Sequence, residues 1–295
     1  MLARLSSHQS GVVAVIIAAV LWSTGGLFIK LLPFEPFTIL FYRSVFAATL
    51  FGLIFRKAIF KINALTLFIS ICYAALMITF VVSTKMTTAA NAIFLQYTAP
   101  IYVLLLEPLL FKIPLERINV WTILICFIGM LLFFLGDLEV GNMNGNWIAL
   151  FSGVLLAAMV LGQRFNAPER YETAIFWGNI ITIIVGFSSF SQSAMPTTEQ
   201  WLMLSFLGFV QIGCGYMLFN YGLKRILAIE GSLLAMLEPI LNPVWVFWGY
   251  GEKPSFWALV GGAIIILMLS IRTVIVERKK LRLVKNPDRA IFLEK

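Results

Sequence analysis

The sequence has few residues that could hold a metal ion or carry out acid–base catalysis. Its 295 residues include one histidine and three cysteines, and no two cysteines stand in a C-x-x-C spacing. Cys72, Cys126 and Cys214 each fall inside an apolar run, so we interpret them as packing residues. Without paired histidines or clustered Cys and Asp, the chain has almost no metal ligands. We therefore predict neither a metal nor a cofactor.

Charge is also scarce. Only 12% of the residues are charged and 60% are hydrophobic, whereas soluble domains contain about 25% charged residues. No G-x-x-x-x-G-K-[ST] pattern occurs, which excludes direct use of ATP through a P-loop. The net charge of +8 requires no nucleic acid, because many of the basic residues form a C-terminal tail that anionic lipid would attract.

Long apolar runs fill most of the sequence. A helix needs about 20 apolar residues to cross a bilayer, and these runs are too long and continuous for the short alternating strands of a barrel. The pattern predicts an all-α membrane protein with ten transmembrane helices, at residues 11–32, 36–55, 64–82, 89–111, 118–135, 146–161, 174–190, 201–222, 229–249 and 255–271.

Basic residues are distributed unevenly between the connections. If the N-terminus is cytoplasmic, 18 of the 22 Lys and Arg residues fall in cytoplasmic segments. Lys30, Lys85 and Lys253 fall outside, and Arg43 lies within a span. Cytoplasmic loops of membrane proteins carry this kind of excess. We therefore expect a multi-pass protein of the inner membrane with both termini in the cytoplasm.

The chain also repeats itself. Residues 80–100 (FVVSTKMTTAANAIFLQYTAP) align without a gap with residues 219–239 (FNYGLKRILAIEGSLLAMLEP), which pairs Pro100 with Pro239. Because each copy contains five predicted spans, the second copy must enter the membrane from the opposite face. We predict two inverted five-helix repeats around a central cavity, a design typical of secondary transporters. The predicted division is a tail (1–10), repeats at 11–140 and 141–275, and a basic tail (276–295).

The stretch LLAMLEPILNPVWVFW, residues 233–248, places a carboxylate beside a helix breaker within an apolar run. Glu238 would lie near the midplane, with Asn242 one turn away on the same face. Because ionisable residues inside membranes usually face a cavity or a partner, we predict that Glu238 binds a substrate ammonium or carries a proton. A structural interhelical hydrogen bond is the alternative. Pro100 and Pro239 are predicted hinges, since proline removes a backbone hydrogen bond and kinks a helix.

Other polar and aromatic residues within the spans are candidate substrate contacts. Neutral donors and acceptors among aromatic rings suit a small amphipathic ligand, and the scarcity of basic residues in the spans argues against phosphorylated substrates. Arg43 is interpreted as a structural residue satisfied by helix-end carbonyls, with an anion site as the alternative, and Glu107 is expected to reach headgroups or loop bases. Together with Glu238, the substrate-binding candidates are Trp22, Asn91, Gln96, Tyr97, Gln211, Tyr216, Asn220 and Asn242.

Three stretches resemble the EamA-type members of the drug/metabolite transporter superfamily: LWSTGGLFIKLLPFEPFTILFYRS, AANAIFLQYTAPIY and EGSLLAMLEPILNPVWVFWGYGEKPSFWALVGGAIII. In the second copy Gly231, Pro239 and Glu252 match the family motif, whereas the first copy has Ile113 where the glutamate would stand. The resemblance implies ten helices and a central cavity lined mainly by spans one, three, four, six, eight and nine. It also implies transport of small metabolites, often amino acid export.

These observations predict a secondary transporter that moves small metabolites across the inner membrane by alternating access, most simply an exporter of amino acids or similar amphipathic compounds. Its partners would be the substrate, the lipid bilayer and, as a coupling ion, protons. A multidrug or organic-cation exporter is the alternative within this class. A membrane-embedded enzyme is the alternative outside it, but no predicted span contains His or Asp and no G-x-S-x-G elbow occurs.

Overall fold

The computed structural model describes residues 6–86, 89–112, 116–135, 143–250 and 256–285. Within these ranges the regular structure is helical and includes no strand. A nine-residue π-helical segment, Phe206–Cys214, joins α10 to α11, and short 3₁₀ turns precede α4 and α9. The helices are α1 Ser7–Ser23, α2 Gly25–Leu31, α3 Pro36–Phe55, α4 Ala64–Met86, α5 Ala89–Gln96, α6 Ala99–Phe111, α7 Arg117–Leu135, α8 Met143–Phe165, α9 Tyr171–Phe190, α10 Thr198–Ser205, α11 Gly215–Leu223, α12 Ala228–Ala235, α13 Leu237–Tyr250 and α14 Phe256–Lys285.

Several helices are long and apolar enough to cross a membrane. Large apolar side chains also face outward: Leu53, Leu109 and Ile184 are each at least two-thirds exposed, as expected where lipid surrounds the protein. These features indicate a multi-pass membrane protein. Among the described residues, seven stretches qualify as spans by length and composition: Ser7–Ile29, Pro36–Phe60, Ala64–Thr84, Met143–Phe165, Pro168–Phe190, Thr198–Leu223 and Leu259–Val276.

Helices from the two halves of the chain pack against one another in matched pairs. α3 packs on α9, α7 on α14, α4 on α8, and α1 on α11. In the numbering of the predicted spans these are the pairs 2–7, 5–10, 3–6 and 1–8. The set is unchanged when every span is exchanged with the span five places along the chain. Smaller contacts follow the same rule. α5 of span 4 packs on α8 of span 6, and the corresponding pair is formed by α12 and α13 of span 9, which pack on α1 of span 1.

Three of the predicted spans are each divided into two helices by a turn of one or two residues. The breaks lie at Thr24, at Tyr97–Thr98 and at Met236. Pro100 and Pro239 stand just after the second and third breaks, in the first turns of α6 and α13. Proline is tolerated there because a first-turn N–H has no intrahelical partner. Each break lies in the turn before its proline, between that proline and the residue four positions earlier, whose carbonyl has no proline N–H to accept. That these prolines act as hinges stays a prediction.

Polar contacts join distant segments at the end of the bundle where α1 begins, which we call the N-terminal end. His8 lies in the first turn of α1, which begins four residues before the predicted span. Its Nε2 is 3.0 Å from Glu230 Oε2. Arg272 Nη1 is 3.3 Å from Glu230 Oε1, and Arg272 Nε donates to Asn119 Oδ1 at 3.1 Å. Glu230 and Arg272 are each only 2% exposed, so this end is closed by a buried charged network.

Glu107 adds to this closure. We expected it to reach headgroups or loop bases, but its side chain is buried. Its two oxygens accept hydrogen bonds from the backbone N–H groups of Ala228 (2.8 Å) and Ile229 (2.9 Å). These residues begin α12, so the carboxylate caps a helix of the other half of the chain.

Aromatic rings pack together at the opposite end of the bundle. The rings of Phe41 and Phe190 stack with centroids 4.2 Å apart. Tyr42 meets Trp201 edge-on at 5.0 Å. Buried charged groups therefore hold the N-terminal end together, whereas aromatic rings pack at the opposite end.

Candidate functional site

A cavity lies between the two halves of the chain. Its lining residues come from α1, α3, α4, α5, α6, α8, α11, α12, α13 and the π-helical segment. It contains about 680 Å³ of space not filled by atoms, its open mouth included. Most of its wall is apolar or aromatic, and a few polar side chains reach it, which is the usual construction of a small-molecule site. No three His, Cys, Asp or Glu side chains of the described residues are grouped so as to hold a metal ion.

The structure brings most of the predicted substrate contacts together at this cavity. Asn220 and Asn242 are buried but do not line it. The side chain of Asn91 lies outside the described part of the chain. Pro100 lines the cavity, and Pro239 does not. The predicted contacts that line it are Trp22, Gln96, Tyr97, Gln211, Tyr216 and Glu238.

Glu238 lies at the break in the ninth predicted span, in the first turn of α13. The hydroxyl oxygen of Tyr97, from the break in the fourth span, is 2.5 Å from Glu238 Oε2 and 3.0 Å from the carbonyl oxygen of Ala235. Ala235 stands four residues before Pro239, so its carbonyl lacks the usual helical N–H donor. One tyrosine hydroxyl therefore links the broken helices of the two halves.

The hydrogen bonds at this link depend on the protonation of Glu238. A tyrosine hydroxyl has one hydrogen to donate, and two acceptors face it. If Glu238 is ionised, Tyr97 donates to the carboxylate and leaves the carbonyl of Ala235 without this donor. If Glu238 is protonated, it can donate to the Tyr97 oxygen while Tyr97 donates to Ala235. The geometry therefore accommodates a proton on Glu238 with both acceptors satisfied.

The break in the first span lets two amide side chains approach its backbone. Gln211 Nε2 donates to the carbonyl oxygen of Trp22 at 3.3 Å. A Cβ atom on Gly25 would lie 2.6 Å from Gln211 Nε2, and one on Gly26 would lie 2.6 Å from Asn242 Nδ2. Both amides reach this position because the two glycines have no side chains. Asn242 therefore packs against the break, and its predicted contact with substrate stays a prediction.

An aromatic wall closes one side of the cavity. The ring of Trp22 lies 4.8 Å from the ring of Tyr216 and 5.0 Å from that of Phe219, and Tyr73 meets Tyr216 edge-on. The indole Nε1 of Trp22 is buried and has no hydrogen-bond partner among the described residues. Gln211 Oε1 likewise has none. The wall therefore buries one donor and one acceptor that have no partner among the described residues.

Arg43 was interpreted from the sequence as a structural residue, yet it lines the cavity. Its side chain is buried, and its Nη2 donates to the sulfur of Met77 at 3.3 Å. The described residues provide no helix-end carbonyl or carboxylate for its guanidinium, so the expected satisfaction by carbonyls is corrected. The π-helical segment fixes its backbone, because a Cβ on Gly208 would lie 2.6 Å from the Arg43 carbonyl oxygen. In the sequence, the one feature that pointed to Arg43 as a cavity residue was its position as a single arginine inside an apolar run.

Comparison with known proteins agrees with this architecture. An uncharacterized transporter of Archaeoglobus fulgidus is 22% identical over 261 residues, which cover 87% of this chain and 93% of that protein. The riboflavin transporter ImpX of Fusobacterium nucleatum is 26% identical over 294 residues, covering 90% and 98% respectively. The biotin transporter of Escherichia coli K12 is 22% identical over 191 residues, covering 61% and 63%.

A solved crystal structure shares the fold, with a TM-score of 0.78 and 18% sequence identity over 92% of this chain and 99% of that one. The model of the EamA-like transporter family matches twice, at residues 9–135 and 143–272. These two matches cover most of the sequence. The chain therefore belongs to the EamA-like transporter family and is a membrane transport protein rather than an enzyme.

Proposed function

We propose that the protein is a secondary carrier that binds a small amphipathic metabolite in the central cavity and exposes it alternately to the two sides of the inner membrane. The observation that carries this proposal is the link between Tyr97 and Glu238, which joins the broken helices of both halves at the cavity. Riboflavin and biotin, named for two relatives, are organic metabolites with polar groups on ring systems. Such molecules suit an apolar wall with few polar groups.

The proposal includes ten membrane-spanning helices in two inverted repeats, with the boundaries 11–140 and 141–275. The helix pairing supports it, because the pairs are unchanged when the halves are exchanged. The breaks at Tyr97 and Met236 occupy matching positions in the aligned copies. The half-helices α5 with α6, and α12 with α13, together provide the length that one span needs. Repeats of this kind can rock around a shared midplane site.

We propose that the N-terminal end faces the cytoplasm. It carries most of the basic residues, including Arg164, Arg170, Lys224, Arg225 and Arg272, as cytoplasmic ends do. Reporter fusions test this orientation. Fusions after Lys61, Arg170 and Arg225 should read cytoplasmic, and fusions after Lys85, Gly141 and Ser193 periplasmic. One reversed signal in the second half would overturn the inverted arrangement.

Counterflow in proteoliposomes tests the carrier function. Vesicles loaded with an unlabelled amino acid, biotin, riboflavin or an organic cation should transiently accumulate the labelled form of the same compound, with saturation. Amino acids are the first substrates proposed and export is the proposed direction. An organic-cation exporter is the second candidate, because Glu238 supplies a carboxylate to the cavity. A flux that grows linearly with concentration and shows no counterflow would refute a carrier.

We further propose that Glu238 carries the coupling proton. Glu238→Gln keeps the shape of the side chain but cannot exchange a proton, so flux driven by a pH gradient should disappear while counterflow persists. Tyr97→Phe is the matched variant, because it keeps the carboxyl group and removes the shared hydroxyl. If Glu238 instead binds a substrate ammonium, Glu238→Gln should weaken binding of zwitterions by about 1.5–3 kcal/mol. Wild-type pH dependence and affinity in Glu238→Gln would refute both roles.

A further inference from the structure

The guanidinium of Arg43 is a buried cation whose hydrogen bonds are largely unmade. The side chain is 3% exposed. A guanidinium has five N–H donors, and the only protein acceptor recorded for it among the described residues is the thioether sulfur of Met77 at 3.3 Å, which is a weak acceptor. A buried charge without a partner is costly. Because Arg43 lines the cavity, a ligand in that cavity is the group placed to provide the missing acceptors.

The fork of N–H groups on Arg43 is complementary to a carboxylate. Trp22 lines the same cavity, but its indole N–H is packed against α11, where a Cβ on Gly215 would lie 2.5 Å from Nε1. A carboxylate has two oxygens and about four lone-pair sites, and it pairs with arginine through two parallel hydrogen bonds. Arg43 by itself therefore offers the pair of donors that a carboxylate requires.

The remaining charges of the cavity limit the anion to a small and singly charged one. Arg43 is the only basic residue among the described residues that line it, whereas phosphate groups are usually held by several Arg or Lys side chains. Glu238 and Gln211 also line the cavity, and the carboxyl group of Glu238 can accept hydrogen bonds. A molecule with a carboxylate at one end and hydrogen-bond donors at the other would complement both sets.

We infer that Arg43 forms an anion subsite and that the transported metabolite carries a carboxylate. This inference rests on the proposed carrier function and narrows its substrate class. It favours zwitterionic and carboxylated metabolites over organic cations that lack an acid group. Arg43 is then a substrate-binding residue rather than a structural one.

Matched acids and amides test this assignment in the purified full-length protein. Leucine is compared with leucinamide, and biotin with biotinamide, as competitors and as labelled counterflow substrates. The wild-type protein should carry the acid of at least one pair and bind its amide more than tenfold more weakly. Arg43→Gln should weaken binding of that acid about 10- to 100-fold and leave the amide unchanged. Arg43→Lys should restore part of the loss, because it keeps the charge without the planar fork.

Three results would contradict the assignment. The first is equal transport of acid and amide by the wild-type protein, a comparison that does not depend on whether the Arg43 variants fold. The second is an equal loss of both compounds in Arg43→Gln at an unchanged elution volume, which would indicate a structural role. The third is transport of leucinamide without leucine. Absence of saturable flux for every probe would overturn the carrier function on which this inference rests.

Discussion

Glu107 holds the N-terminal end of the bundle closed, and we predict that Glu107→Gln will open it. The carboxylate, on α6, accepts hydrogen bonds from the N–H groups of Ala228 and Ile229 at 2.8 and 2.9 Å. The first four N–H groups of a helix have no intrahelical acceptor, and a negative charge is favourable at that end of the helix. Because α6 and α12 belong to different halves, any state open at this end must separate the carboxylate from these donors.

The expected size of the effect follows from these two bonds. Glutamine keeps the shape of the side chain and one acceptor oxygen, but its amide nitrogen would face the second N–H group. One hydrogen bond to a charged group is lost, which typically costs about 1.5–3 kcal/mol. The population open at the N-terminal end should then rise about 10- to 100-fold, since roughly 1.4 kcal/mol corresponds to a factor of ten.

Cysteine labelling measures this population. Ser10, which is buried at the same end, is replaced by cysteine in a background where the three native cysteines are alanine. A membrane-impermeant maleimide should label this cysteine faster in Glu107→Gln than in the parent. Glu116→Gln is the matched control, because Glu116 pairs with Lys279 at 2.5 Å while their side chains are 35% and 55% exposed. An exposed pair of this kind contributes about 0–1 kcal/mol, so its loss should change the labelling rate little.

Faster labelling of Ser10→Cys could come from opening of the N-terminal end or from unfolding of the whole protein, and a second cysteine position distinguishes the two. A cysteine at Ala19, which is fully buried farther along the same helix, should remain unlabelled in Glu107→Gln if only the N-terminal end opens. Equal labelling of Ser10→Cys in the Glu107→Gln and Glu116→Gln backgrounds would refute the reasoning. Parallel labelling at Ala19 would show that the carboxylate supports the whole fold and not one end of it.

Two further predictions concern the broken helices. Gly153→Ala should lower the melting temperature, because its Cβ would lie 2.9 and 3.0 Å from two backbone carbonyl oxygens at the break between α5 and α6, and overpacking costs about 1–3 kcal/mol. Gly52→Ala, whose Cβ would meet its nearest atom at 3.6 Å, should melt at or above the wild-type temperature, and equal melting of the two variants would contradict this. Pro100→Ala and Pro239→Ala should reduce counterflow at unchanged substrate affinity, whereas wild-type rates in both would remove these prolines from the mechanism.

Local sequence was sufficient for the positions of the helices. The predicted span 36–55 coincides with α3, and the span 118–135 begins one residue after α7 does. This accuracy has a physical cause. An apolar run in lipid must satisfy every backbone N–H and C=O group within itself, so a run of about 20 residues has helix as its available structure. The family could also be recognised from the sequence, because its duplicated motifs are contiguous stretches of residues.

Tertiary structure decided which side chains meet. Glu107 finds its donors 121 residues away, and Tyr97 meets Glu238 at a separation of 141 residues. For Arg43 the packed structure favours the anion site over the structural alternative, since Met77 is its sole described acceptor, and it places Asn242 against Gly26, outside the cavity lining. Hydropathy and spacing report the neighbours of a residue along one helix, up to about four positions away. The partners that satisfy or leave unsatisfied a buried polar group lie on other helices, so only the packed structure determines them.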